Sequence, residues 1–227
     1  MKKYLLIGSL LLQLFCAPAQ AKENAIIVCP GCSTMYRTKL FKKVEIPSGT
    51  LTEDMDLTFL IHRMRLGKIG YTNQSAVITQ DPRTLKDYIK QLDRWYVGFW
   101  QCLIKHQVPW GGQMLDIEVG LLALEGLFNG LLMTILLFLL PLTIMQNPGI
   151  LVTPLLVDFF LFFIPTMTYT VIKHRSLKLF LYTPQFYFMR FICSIIFIIC
   201  FIKALMAIDL RMQWAKVTRY ASLEVAR

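Results

Sequence analysis

The fold class predicted here is an α/β segment followed by an α-helical membrane bundle of about three spans, and three observations predict it. Of the 227 residues 56% are hydrophobic, and the mean hydropathy is +0.52. That is more apolar than an ordinary soluble domain. Three runs after residue 118 hold one charge each: 119–145 with Glu125, 150–172 with Asp158, and 191–208 with Lys203. Each reaches or nearly reaches the ~20 residues needed to cross a bilayer. Ahead of them, short strand-like runs at 25–28 and 76–79 stand beside two amphipathic helical patterns, the signature of a small α/β piece over 24–117.

Residues 1–23 form an apolar helix that fits two descriptions. Lys2-Lys3, an apolar stretch from Tyr4 to Phe15 and Ala19-Gln20-Ala21 have the three-part form of a cleaved secretory signal. An apolar helix with basic flanks equally describes a segment lying in a membrane interface. Next comes Cys29-Pro30-Gly31-Cys32, a tight turn by its Pro-Gly pair. Residues 36–44 read as a turn with one helical turn, and 46–51 as a loop.

The first amphipathic helix follows Thr52-Glu53-Asp54, with Leu57, Leu60, Ile61 and Met64 on one face. Thr52 stands where an N-cap belongs, Glu53 and Asp54 fall in the first turn, and Gly67 fits a C-cap. A carboxylate in that turn faces the positive end of the helix dipole, a setting that favours the charged, proton-accepting form. The second helix is expected to open at Asp81-Pro82, with Leu85, Tyr88, Ile89, Leu92 and Phe99 on its apolar face. Gln91, Arg94 and Trp95, at i, i+3 and i+4, project from one side as an amide, a guanidinium and an indole. That set suits a phosphate and a sugar ring. Trp95, Phe99, Trp100, Trp110 and Met114 put residues 98–117 at a membrane surface.

For the runs beyond, the uncharged Gln146-Asn147-Pro148-Gly149 link contrasts with Lys173, His174, Arg175 and Lys178 after the second run. The positive-inside rule then puts the second link and residues 24–117 in the cytoplasm, in a multi-pass protein of the inner or plasma membrane. The basic tail 211–227, with Arg211, Lys216 and Arg219, falls outside by the same count unless the last run is re-entrant or interfacial. Asp158 lies deep enough in its run to line a polar path or to pair with Lys203, whereas Glu125 is near an interfacial end.

The formal net charge is +10, from 24 Lys and Arg against 14 Asp and Glu. The basic residues are dispersed and flank the apolar runs, which fits anionic lipid surfaces and a phosphate-bearing ligand and argues against nucleic acid. Six cysteines include one CxxC with no second pair and no histidine nearby, and His62, His106 and His174 are scattered. Neither pattern makes a metal site.

Thr52-Glu53-Asp54 followed by Gln91-x-x-Arg94-Trp95, directly ahead of hydrophobic runs, resembles the membrane-embedded family 2 glycosyltransferases, the group of cellulose, hyaluronan and poly-N-acetylglucosamine synthases. Cys29 to Arg37 is similar to that family's acceptor segment, small residues closing on an aromatic and an arginine, and Trp214 to Arg219 resembles its basic end. The resemblance spans 24–227 and implies a partial GT-A-like domain over 24–117. It implies Asp54, beside Glu53, as general base on the acceptor hydroxyl. Gln91, Arg94 and Trp95 are then the diphosphate and acceptor contacts, with Gly31, Cys32 and Arg37 near the acceptor. The partners it implies are a nucleotide-sugar donor, a polysaccharide acceptor and the lipid bilayer. It also implies a divalent metal, magnesium or manganese, held by an upstream motif. The expectation is that this chain holds no DxD, so the metal ligands and the rest of the donor site are expected on a donor-binding half or partner subunit. Two other readings stand beside this one: a catalytically inactive remnant or membrane assembly subunit, and an exported membrane protein cleaved after Ala21.

Overall fold

Asp56, with a fully buried carboxylate in the first turn of an 11-residue helix, is the point around which the first part of the chain is assembled. The computed structural model describes residues 24–72, 74, 77, 79–146, 149, 152, 156 and 158–206. The expected N-terminal helix at 1–23, Ala76 and Ile78 of the strand expected at 76–79, the 147–157 region in large part and the tail at 211–227 lie outside them. The chain divides into two units, Ala17–Leu122 with Ile199–Arg227, and Met1–Cys16 with Ala123–Ile198.

The first unit is built on α1 (Glu53–Arg63) and α2 (Leu85–Lys105). Helix α1 ends earlier than its apolar spacing predicts. Arg65 turns left-handed at φ 51, Arg65 N donates to His62 O and Leu66 N to Ile61 O, both at 3.1 Å. This closing pair consumes the last carbonyls, so the helix stops at Arg63 and Gly67 is not its cap. Helix α2 starts later than expected, because Thr84, not Asp81, caps it. The Thr84 hydroxyl accepts from Asp87 N at 3.1 Å and donates to the Asp87 carboxylate at 2.8 Å, a reciprocal N-cap and third-residue pairing. Its C-terminus repeats the closing motif of α1, with Gln107 left-handed at φ 52 and Val108 N on Leu103 O.

Residues 25–28, expected as a strand, carry no regular secondary structure, and there is no strand among the described residues. Ala25, Ile26 and Ile27 are buried, and their neighbouring backbone groups bond to side chains instead of to a sheet. The His62 ring holds Ile26 O at 2.9 Å, the Thr58 hydroxyl accepts Cys29 N at 2.9 Å, and Asn24 Oδ1 accepts Ile69 N at 3.0 Å. Helix α1 therefore takes the place of a pairing strand for this segment. Val44, Leu57 and Ile61 form the apolar centre beneath it, with Tyr36, Leu40 and Leu66 packed around them.

Helix α2 is buried on two sides. Positions 98, 101, 102 and 105 meet the start of α1, whereas Asp93 and Trp100 meet the residues after Ile199. On that second side Lys203 Nζ bonds Asp93 Oδ1 at 2.6 Å and the Trp100 and Phe201 rings lie 4.7 Å apart. The close approach to α1 needs Gly98, since a Cβ there would fall 2.5 Å from Thr52 Cγ2.

Apart from Arg175 and Ser176, the second unit is helical in its described part. It holds most of α3 (Met114–Gln146), a π-helical turn at Phe159–Phe163, α4 (Ile164–His174), a 3-10 turn at Leu177–Tyr182 and most of α5 (Thr183–Leu205). Gly126 and Gly130, one turn apart on α3, let α5 approach. A Cβ at Gly126 would lie 2.6 Å from the Phe197 ring, and one at Gly130 2.7 Å from Ile198 Cγ1. Small residues four apart are the usual way helices pack closely in lipid. Asp158 is buried and pairs with Arg190 at 2.5 Å, and Arg190 also donates to Asn129 Oδ1 at 2.6 Å. The partner of Asp158 is thus Arg190 and not Lys203, which lies about 20 Å further along the same helix at 1.5 Å per residue. Met114–Ile135 and Phe180–Leu205 are long and apolar enough to cross a membrane.

Gly98→Ala is expected to destabilise the protein by about 1–3 kcal/mol, because Thr52 is buried and β-branched and has little room to yield. Gly70→Ala, with nothing within 4 Å of the added carbon, should stay within about 0.5 kcal/mol of the parent. Denaturant unfolding of the three proteins, purified in the same detergent, compares them directly.

Candidate functional site

The Cys29–Cys32 turn and the first turn of α1 form one structure. Asp54 starts the contact: its Oδ2 accepts Gly31 N at 3.4 Å, its Oδ1 accepts Met55 N at 2.8 Å, and its carbonyl accepts the Thr58 hydroxyl at 2.7 Å. Thr58 then accepts Cys29 N, so one hydroxyl joins both ends of the arrangement. Asp54 is half-buried and Glu53 beside it is exposed. Gly31 and Cys32 are exposed at the turn, closed by Ser33 N on Pro30 O at 3.0 Å, and Arg37 is exposed on the next turn. Cys29 and Cys32 are both free thiols, and burial pushes the Cys29 thiol above its ordinary value of 9.0.

Gln91, Arg94 and Trp95 are half-buried on α2. By helical spacing, positions 91, 94, 95, 98, 101, 102 and 105 make one stripe. The C-terminal members of that stripe touch the loop and first turn of α1. Leu51 N donates to Gln101 Oε1 at 2.9 Å, Thr52 Oγ1 lies 3.6 Å from Cys102 Sγ, and Lys105 reaches Asp56 at 2.7 Å. Trp95 stands three residues before Gly98, about 4.5 Å along the axis. The amide, guanidinium and indole thus continue, toward the start of α2, the face that carries the Asp54 helix. Thr52 does not cap α1 with its side chain; its hydroxyl is spent on Cys102 instead.

Sequence reasoning missed Asp56. Its Oδ2 accepts Lys105 Nζ at 2.7 Å and the Thr50 hydroxyl at 2.8 Å, and its Oδ1 meets His106 Nε2 at 2.7 Å. Burial by itself would raise this carboxyl; the bonds from His106, Lys105 and Thr50 outweigh it and hold the pKa below the ordinary 3.8. The available signal was an acid between Leu57 and the loop on a helix whose neighbours at 57, 58 and 59 are all buried. His106 continues the set, with its ring edge-on to Phe59 at 5.5 Å and its carbonyl accepting Arg63 Nη2 at 2.7 Å. Arg63 also forks onto both oxygens of Asp116, at 2.5 and 2.7 Å. His62 is held with its ordinary basicity reduced, burial first and the Arg63 charge second opposing the proton.

Contrary to the expected absence of such a motif, Asp54-Met55-Asp56 has D-x-D spacing. On a helix, two residues apart is about 200° around the axis, and Asp56 is saturated by Lys105, His106 and Thr50. Among the described residues no three His, Cys, Asp or Glu side chains come together. These two residues together do not fit a divalent ion.

A family model described as glycosyl transferase family group 2 matches residues 14–212. No curated protein and no solved structure matches the chain significantly.

The lowered pKa of Asp56 has a definite consequence for stability. A depressed folded-state value means the clamp contributes in full above the ordinary carboxylate pKa and is lost as pH falls through the lowered one. Asp56→Asn is therefore expected to be less stable than the parent by about 1–3 kcal/mol at neutral pH. The gap should hold above the ordinary carboxylate range and close as pH falls below it, through the lowered Asp56 value. Denaturant unfolding of both proteins across that range measures it, and a gap that widens in acid contradicts the assignment.

Proposed function

The chain belongs to glycosyl transferase family group 2, and we propose that it serves the acceptor side of a processive, inverting membrane synthase that extends a polysaccharide from a nucleotide-sugar donor. The observation that supports this most is the Asp54 carboxylate accepting Gly31 N of the Cys29–Cys32 turn, with the Thr58 hydroxyl donating to the Asp54 backbone carbonyl and accepting Cys29 N. An acceptor hydroxyl at that turn is within reach of a carboxylate at a helix N-terminus. Asp54 takes the hydroxyl proton, and the oxygen attacks the anomeric carbon as the bond to the diphosphate breaks on the opposite face. The leaving nucleoside diphosphate keeps the electron pair. Arg94 offsets the charge that develops there, Trp95 offers its face to the acceptor ring, and Gln91 orients a hydroxyl. Glu53 and Arg37 flank the acceptor, and Gly31 and Cys32 border it with little side-chain bulk.

In this reading residues 24–117 are cytoplasmic and form part of a GT-A-like domain. Three spans, the two candidates above and the 150–172 run between them, carry the product across the inner or plasma membrane. A donor-binding half or partner subunit supplies the remainder of the donor site, including ligands for magnesium or manganese.

Membranes containing the chain, with whatever partner co-purifies, are to be given labelled UDP-glucose and UDP-N-acetylglucosamine and scored for polymer. Asp54→Asn is expected to lower incorporation on the order of 10²–10⁴-fold, the usual worth of a general base, with expression unchanged. Arg94→Ala should fall comparably, while Glu53→Gln should lose far less. Full activity of Asp54→Asn removes the base assignment. Donor binding by neither the chain nor its complex favours an assembly subunit.

A further inference from the structure

We propose that Asp56 is the positioning residue of this site, in that its buried carboxylate, held by Lys105, His106 and Thr50, sets the distance between the helix bearing Asp54 and the helix bearing Arg94 and Trp95. The inference rests on the function proposed above for those three residues, but its structural half stands without it. Asp56 is 0% exposed, and its three partners come from two places, the loop before α1 and the C-terminal end of α2. One carboxylate therefore fixes the loop, the first turn of α1 and the end of α2 together. Elsewhere between these segments the contact rests on Thr52 against Gly98 and Cys102 and on Leu51 N against Gln101.

From His106 the connection continues. The backbone carbonyl of that residue accepts Arg63, and Arg63 forks onto Asp116 at the start of α3. The first turn of α1 is thus tied to α2, and α2 through the last turn of α1 to the first turn of a candidate membrane span. Asp56 touches no group assigned to the substrate. Its removal should act through geometry, by letting α2 slide or tilt against α1.

Cys102 reports this without any activity. Its thiol is buried at Thr52, between the two helices, whereas the buried Cys200 lies against Asp93 on the other side of α2. The full chain in lipid nanodiscs is to be alkylated with iodoacetamide and each cysteine followed by peptide mass spectrometry. Asp56→Asn is expected to speed modification of Cys102 on the order of tenfold, the effect of losing a charge-assisted hydrogen bond, with Cys200 unchanged. Unchanged Cys102 overturns the proposal. If Cys200 also speeds up, Lys105→Met decides, because Lys105 is 43% exposed and its loss spares the packing. Acceleration of Cys102 alone supports the clamp, and any other result overturns it.

In membranes that transfer sugar, Asp56→Asn should lower kcat by about 10²-fold, as a misplacement of about 1 Å does, with KM for the nucleotide sugar within about twofold. Combining it with Lys105→Met should recover part of kcat by removing the unbalanced charge. A matching rise in donor KM, or no recovery, overturns the positioning role. Absence of transfer by the parent protein speaks against the proposed function and leaves the Cys102 measurement to judge the clamp.

Discussion

A carboxylate with no exposed surface is costly unless both oxygens are hydrogen-bonded, and at Asp56 a lysine, a histidine and a threonine bond them. This arrangement makes the first unit depend on one residue. Remove the charge and Lys105 and His106 lose their common partner at the point where α2 ends. Keep it, and the loop at 50–52, the start of α1 and the end of α2 are held in one geometry. The packing around it has been shaped to allow this, since Gly98 is the residue on α2 that lets Thr52 come within van der Waals distance.

The same economy is seen where the chain leaves regular structure. Residues 25–29 find their hydrogen bonds on α1 side chains, through His62 and Thr58. Burial and the neighbouring Arg63 charge both lower the proton affinity of this histidine, while its bond to the Ile26 carbonyl opposes them. Thr58 serves twice, receiving Cys29 N and donating to the carbonyl of Asp54. A turn of small residues is thereby set against a carboxylate by a hydroxyl two residues beyond the clamp, so the chemistry proposed for Asp54 and the architecture set by Asp56 occupy the same first turn of one helix.

In the second unit polar groups play a different part. Asp158, Arg190 and Asn129 join three separate stretches of apolar sequence. In a low-dielectric setting a paired charge is tolerated where a lone one is not, and the pairing defines which helix faces meet. Gly126 and Gly130 give the neighbouring contact its closeness. Specific polar pairs and small residues do here what hydrophobic burial does in a soluble core.

The order of the first two helices, their amphipathic faces, the apolar character of two helices long enough to cross a membrane and the Thr52-Glu53-Asp54 and Gln91-Arg94-Trp95 groupings were determined by the sequence alone, because periodicity and composition are local properties. Element ends were legible only in part. Gly67 and Asp81 looked like caps by residue type, yet Arg65 in a left-handed turn and Thr84 with Asp87 took those roles, since capping depends on which hydrogen bonds close and not on which residues favour them. Partnerships were decided by the tertiary structure. Asp158 selected Arg190 over Lys203, Lys203 selected Asp93, and Asp56 gathered groups some fifty positions away. The physical reason is that a charge is satisfied by what lies within about 3 Å of it, and sequence spacing carries no record of that distance once the chain has folded back on itself.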